Sequence, residues 1–110
     1  MTLADYDRIV AYDYLSFPLI PSYPESFIDF HRANPHVYDR IVELTFRRKD
    51  AGWKRGSMKQ IFEVIRWEYD LKTTGDFKLN NNYTAWYARL VMERNPSLDG
   101  FFQLRKAKAA

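Results

Sequence analysis

Gly56-Ser57-Met58-Lys59-Gln60-Ile61-Phe62-Glu63-Val64-Ile65-Arg66-Trp67 is the stretch around which the chain organises. It predicts a helix with a marked start. Ser57 is placed to cap it, and Gln60, three residues on, completes a capping box. Met58, Ile61, Phe62 and Ile65 recur at i, i+3, i+4 and i+7 and so line one face. Val64 widens that face, and the helix ends near Tyr69.

Upstream stands a basic turn, Ala51-Gly52-Trp53-Lys54-Arg55-Gly56. It is longer than the three to four residues of a simple helix-turn-helix. Trp53 is expected to anchor it to the core. Downstream, Leu71 and Thr73 alternate with Lys72, Gly75 offers a turn, and Phe77 and Leu79 flank Lys78, which predicts a β-hairpin. Helix, basic turn, helix and hairpin in that order predict a mainly α, α+β domain of four or five helices with one β-hairpin, winged-helix-like.

Working outward, Ser22 and Glu25 form a second capping box for a helix bearing Phe27, Ile28, Phe30 and His31. It stops at Asn34-Pro35. Asn34 is expected to cap the next helix, with Pro35 at its first position. That helix runs to about Lys49, with Tyr38, Ile41, Val42 and Thr45 as its stripe, broadened by Val37, Leu44 and Phe46. Arg47, Arg48 and Lys49 fall in its last turn, where cations complement the helix dipole. Gly52 supplies the stop. Asn82 is expected to cap a further helix from Tyr83 to about Arg94. Its apolar side holds Trp86, Tyr87, Leu90 and Val91, and Ala85 and Ala88 permit a close approach. Asn95-Pro96 ends it, and Phe101, Phe102 and Leu104 read as a docking segment.

Residues 1–23 read as an N-terminal arm, residues 24–105 as one domain, and residues 106–110 as a frayed basic tail. Pro18, Pro21 and Pro24 hold the end of the arm extended. The arm is expected to lay Phe17, Leu19 and Ile20 over the core, or else to pair with a second subunit. The 110 residues suffice for one core, and 46% hydrophobic content excludes a disordered chain. Without cysteine there is neither a disulfide nor a thiolate metal site. No apolar run approaches a membrane span, and the acidic first seven residues do not read as a secretory leader, so the chain is expected in the cytoplasm and away from membranes.

Net charge is +3, but residues 1–45 carry −4 and residues 46–110 carry +7. The densest cluster is Arg47, Arg48, Lys49, Lys54, Arg55 and Lys59. Such asymmetry suits a polyanion. A DNA-binding reading takes these six residues together with Lys72 and Lys78 on the wing and Arg89 beyond it. Arg66 and the Asn80-Asn81-Asn82 run would add contacts to phosphates or base edges. An exposed basic stripe across the turn and the wing would favour DNA. An exposed aromatic patch would favour protein.

On the protein reading, Trp53, Trp67 and Asn81 are the interface candidates, because aromatic side chains anchor interfaces. The partner would be a host protein or a second copy. An enzyme is the third reading. His31 and His36 stand five apart across a helix break, no glycine-rich phosphate loop is present, and the His36–Asp39 spacing fits a surface pair. Catalytic residues, metal and cofactor are therefore expected to be none.

Several of these residues also resemble a known group. Phe27, Phe30, His31, Asn34-Pro35-His36-Val37-Tyr38, then Ile65-Arg66-Trp67, then Phe77-Lys78-Leu79-Asn80-Asn81-Asn82-Tyr83, Tyr87-Ala88-Arg89-Leu90, and Gly100-Phe101-Phe102 with Arg105 resemble a family of small, mostly uncharacterised proteins of bacteriophages and prophages. The resemblance covers about residues 27–105. It implies a phage origin and a role inside an infected bacterium, where the protein-binding reading would make the chain an inhibitor of a host defence or regulatory complex. It carries no catalytic residue.

Overall fold

The computed structural model describes residues 23–73, 75 and 77–104. The described residues form four α-helices: α1 (Glu25–Ala33), α2 (Pro35–Asp50), α3 (Met58–Lys72) and α4 (Thr84–Arg94). Short 3-10 turns at Asn81–Tyr83 and Pro96–Leu98 flank α4. The predicted arm, the Ser22 half of the first capping box and the basic tail lie outside the described residues.

Asparagine before proline punctuates the fold twice. At Asn34 the side-chain Nδ2 donates to the Phe30 carbonyl at 3.0 Å, and the backbone amide donates there too. Asn34 therefore stands at the N-cap position of α2, as expected, with Pro35 first in that helix, but its side chain bonds back to α1 and makes no capping bond to α2. Asn95 repeats the device after α4, with Nδ2 2.9 Å from the Val91 carbonyl and Pro96 beginning the next turn. Proline cannot continue the preceding ladder, and the amide side chain supplies a second donor to a carbonyl of the last turn.

Helix α2 buries Val37, Tyr38, Ile41, Val42 and Thr45, with the Thr45 hydroxyl donating to the Ile41 carbonyl at 2.7 Å. Helix α3 packs against it with Met58, Ile61, Phe62 and Ile65, and Arg40 of α2 is paired with Glu68 of α3. Helix α4 closes the core with Tyr87, Ala88, Leu90 and Val91. Tyr87 is the hub: its ring lies 4.8 Å from Phe27 and 6.0 Å from both His31 and Phe62. Each aromatic fully buried here contributes about 1.5–3 kcal/mol of transfer energy. Tyr23 packs on Phe27 and Trp86, and its hydroxyl donates to Glu93 at 2.9 Å.

The expected hairpin is absent among the described residues, and with it the wing and the winged-helix architecture. Helix α3 continues through Tyr69, Asp70, Leu71 and Lys72, and no strand comes after it among the described residues. The alternation Leu71-Lys72-Thr73 is too short to outweigh a helix already three turns long. Side chains, in place of a ladder, hold the segment beyond α3. The Phe77 ring stacks on Tyr69 at 3.9 Å. Leu79 is buried, and its carbonyl accepts from the Arg66 guanidinium. The fold is all-helical over the described residues, with a lone parallel bridge between Gly56 and Phe102.

That bridge ties the C-terminal segment to the start of α3. The Gly56 amide donates to the Phe101 carbonyl at 3.0 Å, and Phe101 and Phe102 are both buried. A Cβ at position 56 would stand 2.5 Å from the Phe101 ring, so glycine is required for this approach.

Candidate nucleic-acid interface

The α2–α3 turn is fixed by its own backbone. Gly52 adopts φ +103°, open to glycine at no steric cost, and its amide donates to Lys49 at 3.0 Å. The Trp53 amide donates to the Arg48 carbonyl at 3.3 Å. Arg48 then spans the turn: its Nε donates to the Arg55 carbonyl at 2.7 Å, and its guanidinium lies 4.4 Å from the centre of the Trp53 ring. Trp53 is therefore no core anchor. It is 58% exposed, with the Arg48 guanidinium lying over one face of its ring.

The nine cations assigned from the sequence do not form one surface. Arg48 and Lys49 serve the fold: Lys49 Nζ donates to the Ser97 carbonyl at 2.7 Å, joining the end of α2 to the second 3-10 turn. Arg47 is exposed and paired with Glu43 at 3.5 Å. Lys54, Arg55 and Lys59 are exposed, and their side chains make no ion pair or hydrogen bond to other described residues.

Lys59 meets Arg89 across an open recess of about 490 Å³ at the start of α3, lined also by Ser57, Thr84, Ala85 and Phe102. This pairing joins residues thirty positions apart, and only the small residues of α4, Ala85 and Ala88, hinted at it. Ser57 caps α3 by accepting from the Gln60 amide at 3.3 Å, and the Gln60 half of the capping box is not made among the described residues. The positive end of the α3 dipole points toward the same region.

Lys72 and Lys78 fall at the other end of α3. Lys72 lies in its last turn and Lys78 on the irregular segment after it. Thirteen residues of helix put Lys72 about 20 Å from Lys59 along the axis. Asn81 belongs to that far end as well, where its Oδ1 accepts from Arg66 at 2.6 Å. Asn80, rather than Asn82, caps the turn before α4: its Oδ1 accepts from the Asn82 amide at 2.9 Å. The predicted basic stripe across turn and wing is thus broken in two.

Between the two ends, the outward face of α3 carries an apolar stripe. Trp67 is 64% exposed, Leu71 69% and Val64 38%, at i, i+3 and i+7 from Val64. At about 100° per residue, Trp67 stands half a turn round from Met58. Val64 therefore does not widen the core face; it belongs to a second apolar stripe on the opposite side.

The two histidines occupy different settings. His31 is buried against Phe27, Tyr38 and Tyr87. Burial first, then the charges of Arg94 and Arg32, lower its pKa to about 4, so it is a neutral core residue at pH 7. His36 is exposed and approaches Tyr69 and Phe77. No group of three or more metal-ligating side chains comes together among the described residues, and no described helix is long and apolar enough to cross a membrane.

No protein family, curated protein or solved structure matches this chain. The functional reading therefore rests on the geometry.

Proposed function

We propose that this chain is a non-catalytic nucleic-acid-binding protein that holds phosphates at the α2–α3 turn. The observation that carries the reading is the set Lys54, Arg55 and Lys59. These cations are exposed, do no work in the fold among the described residues, and stand at one end of α3, where Lys59 lines a recess together with Arg89. Charges used for structure are tied down, as Arg48 and Lys49 are; these are not. Cations of this kind release counterions from a phosphate backbone on binding. Contacts of this type position a protein without reading sequence. The resemblance to small phage and prophage proteins implies that the nucleic acid is met in the cytoplasm of an infected bacterium.

The test is charge reversal. Lys54→Glu with Arg55→Glu, both exposed, leaves the fold intact by circular dichroism and abolishes binding to labelled DNA at about 50 mM salt. Unchanged binding would refute the reading.

The stripe of Val64, Trp67 and Leu71 favours a second reading, a protein-binding module that inhibits or redirects a host complex, or that pairs with its own copy. Exposed tryptophan and leucine on one helix face are the side chains that anchor such contacts. If the chain self-associates there, Trp67→Ala with Leu71→Ala converts the dimer to monomer in sedimentation velocity.

A further inference from the structure

We infer that Trp53 is a stacking platform for an unpaired base, so that the nucleic acid held at the turn is single-stranded. The inference rests on the proposed phosphate-binding role of the turn and specifies its ligand. Three observations carry it. The indole is 58% exposed, yet it is held in place from the backbone and from the Arg48 guanidinium, 4.4 Å from its centre. A fixed ring that the core does not use is presented at little conformational cost. The two residues after it, Lys54 and Arg55, are the exposed cations of the turn. The turn thus joins an accessible aromatic face to backbone-neutralising charge, the pair of features that binds single strands. The Arg48 guanidinium takes one face of the ring, so the base stacks on the other.

A duplex does not fit the same surface. Its bases already stack on one another and offer Trp53 no face. The helix that would enter a groove, α3, carries Val64, Trp67 and Leu71 on its outward side, with only Lys59, Gln60, Glu63 and Asp70 exposed around them to meet base edges. The immediate neighbours of Trp53, Gly52 and Lys54, include no bidentate amide or carboxylate. The platform therefore takes any base, and binding tolerates sequence.

The experiment titrates a labelled twenty-nucleotide oligo-dT and a labelled duplex of equal length with the full chain, following anisotropy across salt. Oligo-dT binds more tightly than the duplex. Trp53→Ala weakens oligo-dT binding roughly 5- to 150-fold, the range expected for removal of one base–aromatic stack. The slope of affinity against salt is unchanged in that variant, because no cation has been removed. Trp53→Phe, which keeps a ring, retains most of the affinity, and Trp67→Ala binds as the wild type does. Oligo-dT quenches the tryptophan fluorescence of the wild type more than that of Trp53→Phe. If Trp53→Ala binds oligo-dT as tightly as the wild type while Lys54→Ala with Arg55→Ala weakens it, the platform is wrong and the phosphate-binding turn survives. If neither oligonucleotide binds at about 50 mM salt, the turn has no such role and both readings fall.

Discussion

Acidification should destabilise this protein through one buried imidazole. His31 lies in the aromatic core with its pKa lowered to about 4, chiefly by burial and then by Arg94 and Arg32. In the unfolded chain it titrates near its ordinary value of 6.5. Above that value the ring is neutral in both states and costs nothing. As pH falls, the unfolded chain takes up a proton that the folded core resists, so stability declines between about 6.5 and 4. The linkage gives a loss of about 2 kcal/mol by pH 5 and about 3 kcal/mol by pH 4, a large share of a typical domain's 5–15. Glu68, whose pKa is lowered chiefly by its hydrogen bond to Arg40, adds a loss of the same sign at lower pH. Urea denaturation at pH 7.5, 6, 5 and 4.5, with the wild type beside His31→Phe, measures it. The variant starts from its own stability but loses about 2 kcal/mol less on going from pH 7.5 to 5. Parallel losses in the two proteins would show that His31 is not the titrating group.

Two further substitutions probe how the ends of α3 are held. Gly56→Ala puts a Cβ 2.5 Å from the Phe101 ring, which must shift within a filled core; thermal unfolding should register about 1–3 kcal/mol of destabilisation, and a melting temperature equal to the wild type would contradict the close approach. Arg66→Ala removes the donor that holds the Leu79 carbonyl and Asn81 in place of a β-ladder. It should cost about 1–3 kcal/mol and speed hydrogen exchange across residues 77–83 before the rest of the chain, whereas unchanged exchange there would mean that the Tyr69–Phe77 stack alone fixes the segment.

The helices are readable in the sequence where one face is buried and the signals are local. The α2 stripe of Tyr38, Ile41, Val42 and Thr45 is buried throughout. Ser57 caps α3, and both Asn-Pro pairs end helices. The sequence misleads where tertiary contact decides. Thr73 and Phe77 look strand-like, yet the Phe77 ring reaches back to Tyr69, and a three-residue alternation does not compete with an established helix. Trp53 and Trp67 are hard to place because tryptophan is ordinarily drawn inward. Only the orientation of α3 and the Arg48 contact show that both face solvent. The basic cluster is visible as composition. Its division into structural cations, turn cations and a separate group at the far end of α3 needs the fold, because Arg89 meets Lys59 only through the packing of α4 on α3.

The central claim is that the turn neutralises phosphates, and the most direct measurement of it is the salt dependence of oligonucleotide affinity. With the wild type, log affinity falls linearly with log salt concentration. With Lys54→Ala and Arg55→Ala together the slope becomes shallower by about 1.4 on single strands, about 0.7 for each phosphate no longer neutralised. The same slope in both proteins would contradict the account, because the exposed cations of the turn would then not be touching the nucleic acid.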